Sequence, residues 1–220
     1  MLFLHGYLSS KEAFANQVEY FSRFYRVTAI DFPGFGGAGE LTEPFSVGEY
    51  ADWLWEALYA LRVRSPHVIA HSFGCRVAVK LAAERFSAFD KILLTGPAGV
   101  ILKRGVSYRA KVGAYRLVKR IAPRYAEKHF GSAEYRTLSP VMKESYKKIV
   151  NEDLRDCARK VENEVLIVEG REDRTTPLRE AEAYLGCFSR GRLRIIEGGH
   201  FAFVEYPLTF NLIAEEFFYG

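Results

Sequence analysis

The sequence predicts an α/β fold, a mostly parallel sheet flanked by helices, and three observations carry that reading. Short runs rich in Val, Ile and Leu alternate with stretches of helical periodicity. The run Val68-Ile69-Ala70-His71 passes through Ser72 directly into the small-residue stretch Val77-Ala78-Val79-Lys80-Leu81-Ala82-Ala83, a strand joined to a helix by one tight turn. Apolar residues make up 49% of the 220 positions, yet no apolar run approaches the ~20 residues of a membrane span. The apolar content is therefore available for one substantial core.

In chain order, Met1-Leu2-Phe3-Leu4 reads as a strand, His5-Gly6-Tyr7 as a loop, and Ser9-Ser10 opens a helix to about Phe21. The second strand is Arg26–Ile30. The loop after it holds Gly34, Gly36 and Gly39 at the spacing of a dinucleotide fingerprint. That fingerprint must open a helix at once, so that a pyrophosphate meets the helix N-terminus. Here Glu40–Pro44 intervenes, so a nucleotide site is not expected. Ser46-Val47-Gly48-Glu49 is a capping box. Val47, Tyr50, Leu54, Leu58 and Leu61 follow on one helical face, and Trp53 and Trp55 read as packing residues. A strand at 67–71 leads to Ser72 and a helix to about Arg85. Another strand spans 91–95, and Gly96-Pro97-Ala98-Gly99 follows it with no acid.

Residues 100–160 break the alternation and read as several helices. Positions 103–160 hold 16 Lys and Arg against 6 Asp and Glu, a balance of +10 inside a chain of net charge +4. A step of that size marks a distinct unit. It reads first as a solvated helical surface and second as an attraction for an acidic substrate; nucleic-acid binding is not expected. The sheet resumes at 164–169 and again at 192–196. Gly198-Gly199-His200 ends the last strand, and a final helix runs through Phe218. Cys75, Cys157 and Cys187 are odd in number and form no C-x-x-C pair, so reduced thiols in the cytoplasm are expected. The first residues show no secretory signal pattern.

Four motifs resemble those of the α/β-hydrolase family. Ala70-His71-Ser72-Phe73-Gly74 resembles its nucleophile elbow, G-x-S-x-G, with Ala70 replacing the first glycine. Asp31-Phe32-Pro33-Gly34-Phe35-Gly36 resembles its D-x-P-G-x-G loop. Gly170–Pro177 resembles the G-x-x-D-x-x-x-P stretch that presents the triad acid. Gly199-His200 with Glu205-Tyr206-Pro207 downstream resembles the catalytic histidine loop. The resemblance covers nearly the whole chain, the region 100–160 being its unspecific part.

The resemblance implies a catalytic triad of Ser72, Asp173 and His200 in the expected chain order, with Glu172 as the neighbouring fallback acid. It implies an oxyanion hole from the backbone N–H groups of Tyr7 and Phe73, with the His5 side chain structural. It implies a core of 1–99 and 161–220 with a helical cap at 100–160. The activity implied is a serine hydrolase cleaving a carboxylic ester, thioester or lactone of a small-molecule substrate, with no metal or organic cofactor. Two alternatives stay open. Arg76 lies one helical turn past the serine, as in lyases of this fold that grip carboxylates, although Cys75 stands where that pattern has glycine. A non-enzymatic ligand sensor on the same scaffold is the other. The family usually has two strands before the His-Gly strand, so 26–30 is expected as a sheet edge covered by upstream chain or by a second copy.

Overall fold

The computed structural model describes residues 1–102, 135 and 137–220. Among them six parallel strands form one sheet in the order β2-β1-β3-β4-β5-β6. These are β1 (Leu2–Leu4), β2 (Thr28–Ile30), β3 (Val68–His71), β4 (Ile92–Thr95), β5 (Val165–Gly170) and β6 (Gly191–Ile196). β1, β3, β4 and β5 are buried throughout, whereas β2 is half-buried and β6 mixed, as interior and edge positions require. The edge expected at 26–30 is observed with β2, which starts two residues later.

Side-chain alternation divides the core. Leu2, Leu4, Val68, Ala70, Ile92, Leu94, Val165 and Ile167 face one layer of helices. Phe3, Ile69, Leu93, Leu166 and Val168 face the other. The first layer contains α2 (Val47–Ala60) and α3 (Phe73–Glu84); the second contains α1 (Ala15–Phe21) and, at the end of the chain, α7 (Pro207–Tyr219). The expected single helix from Ser10 begins instead as a 3-10 turn, Lys11–Phe14, before α1. The capping box forms as read: Ser46 Oγ accepts from the Glu49 amide, and Glu49 Oε2 accepts from the Ser46 amide at 2.5 Å.

The glycine loop wraps a carboxylate. Asp31 accepts from the Lys11 amide, Lys11 Nζ and the Gly37 amide at 2.6–2.9 Å. A Cβ on Gly36 (φ +53°) would lie 2.5 Å from Asp31 Cγ. Burial pushes the Asp31 carboxyl up, the Lys11 and Gly37 bonds outweigh it, and the group is held at about 2.

Most of the basic stretch, 103–134 and 136, lies outside the described residues. The described part of 100–160 contains α4 (Pro140–Val150) and α5 (Arg155–Ala158). Met142 and Ile149 of α4 join the first core layer. Among the described residues no helix is long and apolar enough to cross a membrane.

Between β1 and β3 the strand order reverses direction. β1 connects outward to β2, and the chain then returns to place β3 on β1's other side. Such a switch point opens a crevice at the carboxyl ends of the strands. Tyr7 follows β1 and Ser72 follows β3, so both sit there.

Candidate active site

Ser72 occupies a single-residue turn between β3 and α3, with φ 49° and ψ −105°. Such a conformation is costly for a residue with a Cβ and persists only where its surroundings fix it. Here the Ser72 amide donates to Thr95 O at 3.1 Å, and its carbonyl accepts from the Cys75 amide at 3.1 Å. Close approach of α3 to β1 explains the glycine two residues on: a Cβ at Gly74 would lie 2.3 Å from Leu4 O. Ala70 is fully buried, so its one methyl is accommodated in the core.

His200 and Asp173 reach the same point from two other strand ends. His200 Nε2 lies 3.0 Å from Ser72 Oγ, and His200 Nδ1 lies 2.7 Å from Asp173 Oδ2. An ionised carboxylate only accepts, so Nδ1 carries the proton and the Nε2 lone pair faces the serine hydroxyl. Asp173 Oδ1 accepts from the amides of Thr175 and Thr176, and Oδ2 also accepts from Thr176 Oγ1 at 2.9 Å. Burial pushes the Asp173 carboxyl up; His200 and the Thr176 donors more than offset it, holding it at about 2. Glu172 beside it is exposed, so Asp173 takes the place opposite the imidazole.

The histidine loop is braced at both sides. Glu205 Oε2 accepts from the Gly199 amide at 2.9 Å. His71 Nε2–H donates to His200 O at 2.9 Å. Burial, reinforced by His200, pushes the His71 imidazole down to about 3, so it stays neutral.

Tyr7 and Phe73 offer backbone N–H groups from adjacent strand ends. Neither has an acceptor among the described residues. His5 fixes the Tyr7 loop: its Nδ1–H donates to Gly6 O at 2.7 Å while Nε2 accepts from the Phe32 amide at 3.0 Å. Tyr7 Oη donates to Met142 O at 3.1 Å, and its ring packs edge-on against Phe73 and Tyr146. Helix α4 thus reaches over the loop. Among the described residues no three His, Cys, Asp or Glu side chains converge as metal ligands would. A cavity of about 560 Å³ lined by Glu164, Arg190 and Arg192 lies at the start of β5 and β6, the opposite end of the strands from Ser72.

The model of the alpha/beta hydrolase family matches residues 1–211. The chain belongs to this family. Among curated hydrolase relatives, (E)-2-((N-methylformamido)methylene)succinate hydrolase of Acinetobacter baylyi is 28% identical over 85 residues, 39% of this chain and 32% of that protein. Probable lysophospholipase BODYGUARD 3 of Arabidopsis thaliana is 28% identical over 130 residues, 56% of this chain and 25% of that protein. The matches thus span only a quarter to a third of these relatives. Among solved structures, an esterase from Exiguobacterium antarcticum aligns with TM-score 0.78 at 19% identity, covering 100% of this chain and 91% of that one. The enol-lactonase of Burkholderia xenovorans aligns with TM-score 0.77 at 19% identity, covering 100% and 90%. These likenesses concern the fold.

Within the hydrolase fold, one expected site residue is turned elsewhere. Arg76 is buried, and its Nη1 donates to Ile149 O at 3.0 Å and Glu152 O at 2.8 Å. It caps the carboxyl end of α4, where a cation meets free carbonyls favourably. Among the described residues its hydrogen bonds are structural: the guanidinium is a strut between α3 and α4. Sequence reading missed Thr176, which bonds Asp173 and lies 3.3 Å from His200 Nδ1. A threonine three residues past an acid at a turn was the available signal. It also missed the bracing by His71 and Glu205.

Proposed function

We propose that the chain is a serine hydrolase that cleaves a carboxylic ester, thioester or lactone through an acyl-enzyme on Ser72. The observation that carries this reading is the continuous hydrogen-bonded line Asp173–His200–Ser72, at 2.7 and 3.0 Å. A serine hydroxyl is a weak nucleophile at neutral pH. His200 Nε2 accepts its proton as Oγ attacks the acyl carbon, then returns it to the leaving group. Asp173 holds the imidazole tautomer and stabilises the imidazolium. The Tyr7 and Phe73 amides bind the oxyanion, a pair of preorganised donors worth several kcal/mol to the transition state. Water, activated by the same histidine, then hydrolyses the acyl-enzyme.

The relatives named as a succinate-derivative hydrolase and a probable lysophospholipase support hydrolysis in general. The half-buried phenol rings of Tyr7 and Tyr146 supply an aromatic wall beside the oxyanion loop. The residues around 100–160 act in this reading as a cap, and their excess of cations favours an anionic substrate. Three unpaired cysteines fit a reducing, cytoplasmic setting. The lyase alternative loses its main support, because the Arg76 guanidinium is committed to backbone carbonyls. Turnover of a short-chain p-nitrophenyl ester tests the proposal. It should be lost in Ser72→Ala, and near-wild-type turnover in that variant would sink the assignment.

A further inference from the structure

Strand β5 carries a second carboxyl beside the triad acid. Glu169 shares the parity of Val165 and Ile167 and points into the first core layer. It is fully buried, neither of its oxygens accepts a well-formed hydrogen bond among the described residues, and its side chain meets the Asp173 carboxyl. The groups acting on it are Asp173 from the following loop, by charge and by side-chain contact, the Gly170 amide, and Glu180 from α6 (Leu178–Leu185), while its own charge bears on Cys75 of α3. Tyr184 of α6, also fully buried, presents to this layer a hydroxyl without a hydrogen-bond partner among the described residues. The charged groups among these neighbours are both acids.

Two carboxyls this close do not both ionise in a dry site; one keeps its proton. Hydrogen bonding decides which. Asp173 receives four donors, from Thr175 N, Thr176 N, Thr176 Oγ1 and His200 Nδ1. Glu169 has no donor in good hydrogen-bonding geometry; only the Gly170 amide and the Asp173 carboxyl itself lie near its oxygens. Burial first, and then the Asp173 charge, push the Glu169 carboxyl up to about 9.

We infer that Glu169 is a positioning residue of the Asp173–His200 pair: held as the neutral acid, it leaves the single negative charge of the two carboxyls on Asp173, the one that faces the imidazole. This rests on the triad reading above. A charged Glu169 would set a second negative charge against Asp173 and disturb the carboxylate's alignment on His200. The arrangement works only while the site stays dry and Glu169 stays protonated.

The test is carboxyl NMR of full-length protein labelled with ¹³C at glutamate Cδ, in the wild type, Glu169→Gln and Asp173→Asn. One glutamate resonance of the wild type should titrate near pH 9, far above the rest. It should vanish in Glu169→Gln and move to lower pH in Asp173→Asn, because the opposing charge is gone. A wild type in which every glutamate titrates in the ordinary range, or a high titration unmoved by Asp173→Asn, overturns the inference. Neither reading uses turnover, so failure of the hydrolase assignment would show separately. If Asp173→Asn does not fold, ester hydrolysis against pH decides. Wild-type kcat should change through the alkaline titration with KM unchanged while Glu169→Gln stays flat, and superimposed profiles overturn the inference.

Discussion

At the residue scale, the account turns on which atoms hold protons. Asp173 is ionised with its carboxyl at about 2, below the ordinary 3.8. A depressed folded value means the unfolded chain binds the proton first, so the group stabilises the fold above about pH 4 and that contribution is lost as pH falls toward 2. Asp173→Asn should therefore flatten the wild type's loss of Tm over that window, and acid denaturation followed by circular dichroism reads it. The same substitution leaves an amide that cannot hold the catalytic tautomer, and kcat should drop by roughly 10³–10⁴. Glu169 carries the opposite sign. Its folded value lies above its ordinary 4.5, so the folded state keeps a proton the unfolded state has lost. Stability drains from the wild type as pH rises from about 4.5 to 9. Glu169→Gln has no such dependence, and its Tm relative to wild type should climb over that interval; a constant difference contradicts the protonated state.

At the element scale, the elbow depends on how closely α3 lies against β1. Gly74→Ala puts a methyl against the Leu4 and His5 carbonyls, and backbone cannot yield as a side chain does. A loss of about 1–3 kcal/mol is expected, measured by urea unfolding. Arg76 is the second link, tying α3 to the end of α4. Arg76→Leu should lower stability by about 1–3 kcal/mol as two bonds to buried carbonyls are lost. Its kcat/KM ratio between an anionic and a neutral ester should stay within about twofold of wild type, since the guanidinium is engaged by backbone carbonyls. A selective loss of the anionic ester would restore the role of substrate contact.

The same scale explains what could be read beforehand. Strand positions were legible because buried parallel strands write short apolar runs, and the capping box at Ser46 and Glu49 writes a local pattern. Ser72, Asp173 and His200 were legible because each follows a strand and sits among glycines or a proline that fix a turn. The strut made by Arg76 was not legible because its partners, Ile149 O and Glu152 O, lie more than 70 residues away and are backbone atoms. No side-chain pattern announces a carbonyl. Glu169 was passed over for a related reason: a strand acid reads as an edge residue unless one knows that the strand is interior.

At the scale of the whole molecule, the sheet order sets the site. Reversal between β1 and β3 opens the crevice, and the strand ends bring in Tyr7, Ser72, Asp173 and His200 from four separate stretches of chain. The outer side of β2 has no strand partner among the described residues. Pairing with a second copy through that edge is the proposal for assembly, and light scattering should give a particle of twice the 25.1 kDa chain mass. A monomer of this chain contradicts it and leaves the catalytic account untouched.

The central claim is an activated Ser72, and the most direct measurement is intact mass after incubation with a fluorophosphonate probe, wild type beside Ser72→Ala. One adduct is expected on the wild type and none on the variant. A folded wild type that stays unmodified, or a variant labelled equally, contradicts it.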